Sequence, residues 1–356
     1  MTLDHAEILI IGGGIAGLAT ALHLAEAGQR GVLLLEREAQ PGFYASGHNA
    51  GMARTLTGRP EHTAFTVAGR DRLAAARLLN ATGGYLLGAG AGATGALAQE
   101  AEAFGQEHRR GPGSPLPGLA AEEYLHLPGD GLIDIHGLLD HCAQGARGGG
   151  ATLRFGCQVQ GITPHGSGFR VATDQGEVEA GLLVNAAGAW AQALGRMAGG
   201  LDISFQPLRR HLVWSNLPYP QHQPWAWWVD RPLYLRPESG GVLLCACEEQ
   251  ASPLPPRGQQ PLVDNSFIDD LEHSLRNLAP SLAALPVTRL WSGLRTFAPD
   301  RRFVLGYDPI NPRLFWVVGL GGHGMTSGLA VGYAAARGLL EKNNAGPLDP
   351  GRLWVH

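Results

Sequence analysis

The sequence predicts an α/β fold in which a Rossmann-like dinucleotide-binding domain is interleaved with an antiparallel-sheet domain. Three observations carry this. Residues 7–36, EILIIGGGIAGLATALHLAEAGQRGVLLLE, read as strand, glycine turn, helix and second strand ending on an acid. Residues 201–287 change texture to alternating strands rich in Pro and Trp, as in FQPLRRHLVWSN and WAWWVDRPLYLRPE. Residues 314–341 return to a strand, a glycine loop and a helix of small residues.

In the opening element, Gly12 and Gly14 allow a tight turn and close backbone approach to a pyrophosphate, and Gly17 lets the helix pack close to the sheet. Glu36 follows Gly17 by about 19 residues, the place of an acid that takes ribose hydroxyls. The polar, glycine-rich stretch after Glu36 leaves the carboxyl edge of a parallel sheet and is read as a cofactor loop. A helix is expected over His62–Leu79, a short strand over Gly83–Leu87 and an amphipathic helix over Ala96–His108. Residues 109–118, basic and rich in Gly and Pro, are the best candidate for an interdomain linker or mobile loop. Next come a helix within Gly131–Ala146, a strand over Ala151–Val159 and a partner strand over Gly168–Thr173. The run VEAGLLVNAAGAW forms a buried strand whose small residues 186–188 permit contact with a nucleotide or serve close helix packing alone. In the Pro/Trp-rich region, alternation puts Tyr234 and Arg236 on one sheet face and Leu233 and Leu235 on the other. The final glycines, Gly319, Gly321, Gly322 and Gly324, present a helix N-terminus to an electron-rich group.

Composition narrows the class. With 356 residues, 44% of them hydrophobic, the chain can bury a large core, and a net charge of −4 offers no field for nucleic acid or an anionic membrane. The apolar runs are strand-length and broken by glycine, so neither a membrane span nor a signal peptide is expected, and the default location is cytoplasmic. Four cysteines, Cys142, Cys157, Cys245 and Cys247, are too scattered for a disulfide framework, and no metal-ligand spacing is evident.

The ordered set IGGGIAGLATALHLAEAG, LLLERE, ASGHNAGMAR, GLLVNAAGAW, QPLRRH, YLRPESGG, WSGLRTFAPD and GLGGHGMTSG resembles the D-amino acid oxidase family of FAD-dependent oxidoreductases over nearly the whole chain. Within that family it is most similar to bacterial D-arginine dehydrogenases, through LEREAQPG, VNAAGAW, the YLRP strand and the GLR segment. The resemblance implies FAD as cofactor, an FAD-binding domain from residues 1–80, 132–200 and 290–356, and a substrate domain from 81–131 and 201–289. It implies that Gly12, Gly14, Ile15, Ala16 and Gly17 meet the pyrophosphate, Glu36 the ribose, and Arg37 and the backbone of Val159 the adenine. Ser46, His48, Asn49, Ala50 and Gly51 then form the loop over the flavin, and Gly188 and Trp190 continue the dinucleotide site. Gly321, Gly322, His323, Gly324 and Met325 sit against the isoalloxazine, where the helix dipole stabilises charge on the reduced ring.

For the substrate, the resemblance makes Arg295 the two-pronged partner of a carboxylate, Tyr234 a hydrogen-bond donor to it, and Arg210, or else Arg209, a second arginine. His323 is open to a role as pocket residue or active-site acid. The implied reaction is oxidation of an α-amino acid, probed first as a D-amino acid: hydride passes from Cα to flavin N5, and the imino acid hydrolyses to a keto acid and ammonia. The acid that would hold a substrate guanidinium is missing, Gly84 and Tyr85 standing nearest, so a neutral or apolar side chain is expected beside Trp225, Trp227 and Trp228. HNAG is also similar to the HAAG run in which dimethylglycine-type enzymes bond a histidine to the flavin; noncovalent FAD is the preferred expectation and a bond at His48 the alternative. Oxidation of a secondary amine of glycine or sarcosine type, or of a 2-hydroxy acid, competes with the first reading. So does service as the flavin subunit of a heteromeric complex, and oxygen, a quinone or a partner protein is open as electron acceptor.

Overall fold

The computed structural model describes residues 4–344 and 346–354. The two apolar runs that flank the glycine turn become adjacent parallel strands, Asp4–Ile11 and Val32–Glu36, buried on both faces as their uninterrupted hydrophobicity requires. They lie in an eight-stranded sheet whose path runs Val159–His165, Gly168–Thr173, Gly176–Asn185, Asp4–Ile11, Val32–Glu36, Thr152–Phe155, with Leu314–Val318 and its antiparallel partner Val304–Tyr307 joined to Gly176–Asn185. The long strand Gly176–Asn185 changes neighbours along its length: its start pairs antiparallel with Gly168–Thr173, its end parallel with Leu314–Val318. Helices Ile15–Glu26, Ile135–Gly148 and Gly324–Glu341 cover one face, and their small residues permit a tight fit. A Cβ on Gly328 or Gly332 would strike Ile15 or Ala19 of the first helix.

The second sheet, nine-stranded, runs Gln250–Ala251, Gln206–Ser215, Gly241–Cys245, Tyr234–Glu238, Trp225–Trp228, Gly84–Gly88, Glu123–Leu127, Arg109–Pro112. Strand Arg289–Phe297 pairs antiparallel with Gln206–Ser215 over its whole length, from Gln206↔Phe297 to Trp214↔Arg289. The strand that carries Arg295 thus lies in this nine-stranded sheet, on the other side of the expected boundary at residue 290 from its partner Gln206–Ser215. The sheet is also not wholly antiparallel, since Trp225–Trp228 runs parallel to Gly84–Gly88.

Other local expectations shift for identifiable reasons. Arg109–Pro112 is an edge strand against Glu123–Leu127 rather than a linker, and an edge tolerates Pro and Arg because one side needs no partner. The single strand expected over Ala151–Val159 breaks at Gly156 (φ +72°) into Thr152–Phe155 and Val159–His165. The helix expected from His62 to Leu79 runs Pro60–Ala75 and stops before Arg77, which has φ +59°. Cys245 is a buried core residue as its alternating strand suggested, and Cys247 follows it half-exposed at φ +58°. Among the described residues no helix is long and apolar enough to cross a membrane.

One buried acid ties these parts together. Asp130 accepts hydrogen bonds from the Thr55 amide (3.3 Å) and hydroxyl (2.8 Å), and burial pushes its pKa up to about 7 against the effect of those bonds. A folded-state value above the unfolded one means that the fold favours the protonated acid, so this contribution is complete below the ordinary Asp range and fades as pH rises towards 7. Asp130→Asn is therefore expected to melt close to wild type at about pH 4 and to become the more stable protein by about pH 8, by a few kcal/mol. Thermal denaturation of both proteins across that range checks it; parallel pH profiles would contradict the assignment.

Candidate active site

A cavity of about 680 Å³ runs from the first glycine turn to the strands Gln206–Ser215 and Arg289–Phe297. At one end Gly12 adopts φ +117°, and a Cβ there would run into the Ala186 carbonyl. Only glycine gives this turn. Gly14, Ile15 and Ala16 carry the chain into a helix whose N-terminus opens on the cavity. Gly17 does not line it; this residue lies behind the turn, where a Cβ would strike the Gly12 carbonyl, so its part is packing and not phosphate contact.

Glu36 is held by the loop itself. Its Oε2 accepts from Gly13 N (2.6 Å) and its Oε1 from Glu38 N (2.8 Å), while burial raises its pKa. The Ser46 hydroxyl accepts from Ile15 N at 3.0 Å, which leaves its own proton to donate. Arg37 stacks over Trp190 at 3.9 Å, with Tyr44 beside both, and Val159 and Gly188 complete this end.

The loop from Ser46 to Gly51 is braced from inside. Asn49 accepts from Gly51 N (2.8 Å) and donates to Ser46 O (2.8 Å), and the Ala50 carbonyl accepts from Arg236. Arg236 thus shares a strand with Tyr234 but serves the loop, closing on Glu238 as well. His48 lines the cavity with a buried Nδ1 that has no hydrogen-bond partner. Opposite, Gly321 (φ +53°) and Gly322 (φ +92°) lead through His323 into the helix Gly324–Glu341, with Met325 buried in its first turn. Gly321 N donates to Thr296 O at 3.2 Å, tying this loop to the strand of Arg295.

The chamber end is set by sheet register. Arg295 faces Leu208 across the strand pair and Arg210 faces Gly293, so the two arginines are diagonal neighbours on one face. Arg209 points the other way and is bound to Asp264 (2.8 Å) and Gln250 (2.7 Å), which decides for Arg210. Arg210 donates to the carbonyls of Cys247 (2.7 Å) and Glu248 (3.2 Å). Arg295 donates to Glu249 at 3.0 Å, Arg301 donates to the other oxygen of Glu249 at 2.7 Å, and Arg295 Nε is buried without a partner. Burial and the neighbouring Arg210 push Arg295 down to about 10, partly offset by Glu249. Its fork is therefore shared with an internal carboxylate rather than free for a two-pronged pair.

Tyr234 is buried against Trp227 (ring centroids 4.7 Å apart), and burial raises its phenol well above the usual value. His323 is held neutral, far below the ordinary imidazole range, by burial and by the charges of Arg54, His62, Arg295 and Arg210. A lowered imidazole pKa weighs against the acid role expected for it and towards that of a pocket residue. Of the tryptophans, Trp225 and Trp228 are core and Trp227 lines the cavity. Gly84 packs under the Trp225 ring and Tyr85 stacks on His126 (4.4 Å), so both lie in the sheet and not in the chamber. Sequence reasoning missed Arg54, Glu249, Arg301, His62 and Tyr44. Arg54 closes the quoted ASGHNAGMAR motif and Glu249 ends the strand-like GVLLCACEE, but only the fold reveals that they face the same chamber.

A side-chain-free cradle under two helix N-termini, with an acid at the ribose position, fits a dinucleotide, and an arginine-walled chamber at its far end fits an anionic substrate. The fold and cavity define a dinucleotide-dependent oxidoreductase. A family model described as FAD dependent oxidoreductase (DAO) matches residues 7–337, and the chain belongs to that family of enzymes, whose cofactor is FAD. It is similar to mitochondrial dimethylglycine dehydrogenase of Rattus norvegicus, 29% identical over 382 residues that cover 92% of this chain and 42% of that protein. It is 27% identical over 367 residues to mitochondrial sarcosine dehydrogenase of Homo sapiens, covering 94% of this chain and 40% of that one. The chain thus spans about two-fifths of the length of these curated relatives. In fold it matches the crystal structure of L-proline dehydrogenase from P.horikoshii, with TM-score 0.88 and 21% identity over 99% of this chain and 98% of that one.

Two outcomes follow. A Cβ on Gly293 would sit 2.6 Å from the His48 carbonyl, so Gly293→Ala must displace the loop over the cofactor. Its flavin-to-protein absorbance ratio after purification should fall several-fold while the melting temperature drops only by the amount expected of about 1–3 kcal/mol of overpacking. Acid precipitation tests the cofactor's attachment: release of all yellow colour into the supernatant is expected for noncovalent FAD, and colour in the pellet that is lost in His48→Ala would establish a bond there.

Proposed function

We propose that this enzyme oxidises an N-substituted α-amino acid, gripping its carboxylate between Arg295 and Arg210 with Tyr234 alongside. The observation that carries the reading is the partnerless Arg295 Nε beside the second guanidinium of Arg210, placed on one face by sheet register. The names of the relatives support it, since dimethylglycine and sarcosine are both carboxylates whose nitrogen bears methyl groups. This favours the secondary-amine alternative over a primary D-amino acid, and it sets aside the finer likeness to D-arginine dehydrogenases.

The amine must enter its uncharged form to give up hydride, and the chamber promotes this. Guanidinium groups at Arg54, Arg210, Arg295 and Arg301 raise the cost of a further positive charge, so they lower the pKa of a bound ammonium. No side-chain base at carbon is needed. His323 and His62, the latter with its pKa pushed down to about 4 by burial, stay neutral and keep the field unchanged through the reaction. When bound, FAD supplies the two-electron acceptor: a C–H bond next to nitrogen breaks as hydride and the nitrogen lone pair closes a C=N bond. Water then splits that iminium into an amine and a carbonyl compound. The protein's share is alignment of the carboxylate, and through it of the reacting carbon.

Anaerobic mixing of the flavin-loaded protein with sarcosine, N,N-dimethylglycine, proline, D-amino acids and 2-hydroxy acids should bleach the flavin with the N-substituted set and not with the hydroxy acids. Arg295→Met should lower the second-order rate of bleaching about 10–10²-fold, the scale of a charge-assisted carboxylate pair, with flavin content retained. Bleaching by D-amino acids alone, or an unaffected Arg295→Met, would sink the proposal.

A further inference from the structure

We propose that Arg54 forms a second anion seat in the chamber, so that the preferred substrate is an N-substituted amino acid with two carboxylates, one on Arg295 and Arg210 and the other on Arg54. This rests on the amine-oxidation reading above and deepens it.

Arg54 lies directly after the short strand Met52–Ala53 and lines the cavity. Its guanidinium lies over the Trp227 ring at 4.3 Å and its Nε donates to Leu56 O at 2.9 Å. Among the described residues it has no ion pair. Of the acidic groups whose fields reach it, the Cys247 thiol is pushed well above its ordinary range by its bond to Cys245 and by burial, and the carboxyls of Asp130 and Glu100 are committed elsewhere. Asp130 is bound to Thr55 and holds its proton until about pH 7, and Glu100 accepts from the Thr63 hydroxyl (2.8 Å) and Gly58 N (3.0 Å). Burial accordingly pushes Arg54 down to about 10. A guanidinium that lines the cavity half-buried, with no ion pair among the described residues, is a place where an anionic ligand completes the charge.

Position fits a ligand that bridges. Trp227, the ring under Arg54, packs on Tyr234 and pairs with it across the strands, so Arg54 is one aromatic ring away from the carboxylate seat. Arg54, Arg210 and Arg295 line the same cavity as His323, so the three guanidinium groups border one space. Among the described residues Glu249 is the single carboxylate in that space, and it is engaged by Arg295 and Arg301 with Arg210 at 3.9 Å. One substrate carboxylate still leaves the chamber strongly positive; a second one balances Arg54.

The test uses the flavin-loaded protein and inert thioethers that mimic the amines, (methylthio)acetate with one carboxylate and thiodiacetate with two, titrated by the change in the flavin absorption spectrum. Wild type should bind thiodiacetate at least about tenfold more tightly than (methylthio)acetate, Arg54→Met should lose that preference by weakening thiodiacetate far more than (methylthio)acetate, and Arg54→Lys should keep part of it. In parallel, iminodiacetate and N-methylaspartate should bleach the flavin at lower concentration than sarcosine in wild type only. Equal affinity for the two thioethers in wild type, an equal loss for both in Arg54→Met, or loss of flavin from both Arg54 variants would overturn the proposal, the last by showing that Arg54 serves the cofactor. A failure of every amino acid to bleach the flavin would instead refute the amine-oxidation reading, and the thioether titrations would still report on the anion seat.

Discussion

Everything at the cavity depends on how closely the helix Gly324–Glu341 lies on the helix Ile15–Glu26. Gly328 and Gly332 bring its backbone against Ile15 and Ala19, an approach that any larger residue would prevent. His23 reinforces it through a hydrogen bond to Leu329 O at 3.0 Å. The contact fixes where both helices begin, and both begin at the cavity. Two helix N-termini, separated in sequence by the whole chain, therefore face one cavity from neighbouring directions.

The chamber depends on a different constraint, the register of one strand pair. Because Gln206 is opposite Phe297, Arg210 and Arg295 fall on the same face; a slip of one residue would exchange Arg210 for Arg209 and lose the pair. Gly293, opposite Arg210, leaves room for the backbone of the loop over the cofactor. The bond from Gly321 N to Thr296 O then joins the arginine strand to the glycine loop of the last helix. Glycine turn and arginine chamber are thus spaced by main-chain contacts, which vary less than side-chain positions.

What was legible in the sequence was local. The glycine turn, Glu36, the small-residue helix after Gly324 and the arginines within QPLRRH and WSGLRT each announce themselves through a few neighbouring residues. Misreadings came where local pattern and tertiary context differ: RRGP reads as a loop and is an edge strand, and Gly156 interrupts a run that otherwise reads as one strand. The charge balance of the chamber was not legible at all. Arg54, Arg301 and Glu249 come from three distant segments, and no spacing rule links a residue of the flavin loop with one at the end of a sheet strand.

Glu249 also changes what ligand entry means. Arg295 and Arg301 hold its two oxygens, so the free chamber already contains a carboxylate on the arginine that an incoming one would use. On the proposed reading, entry would be an exchange of one carboxylate for another at Arg295, with Arg301 placed to keep Glu249 when it is displaced. Such an exchange never exposes a bare guanidinium to the apolar wall. It also makes occupancy a competition, in which small inorganic anions that match neither the shape nor the reach of a substrate gain little from charge alone.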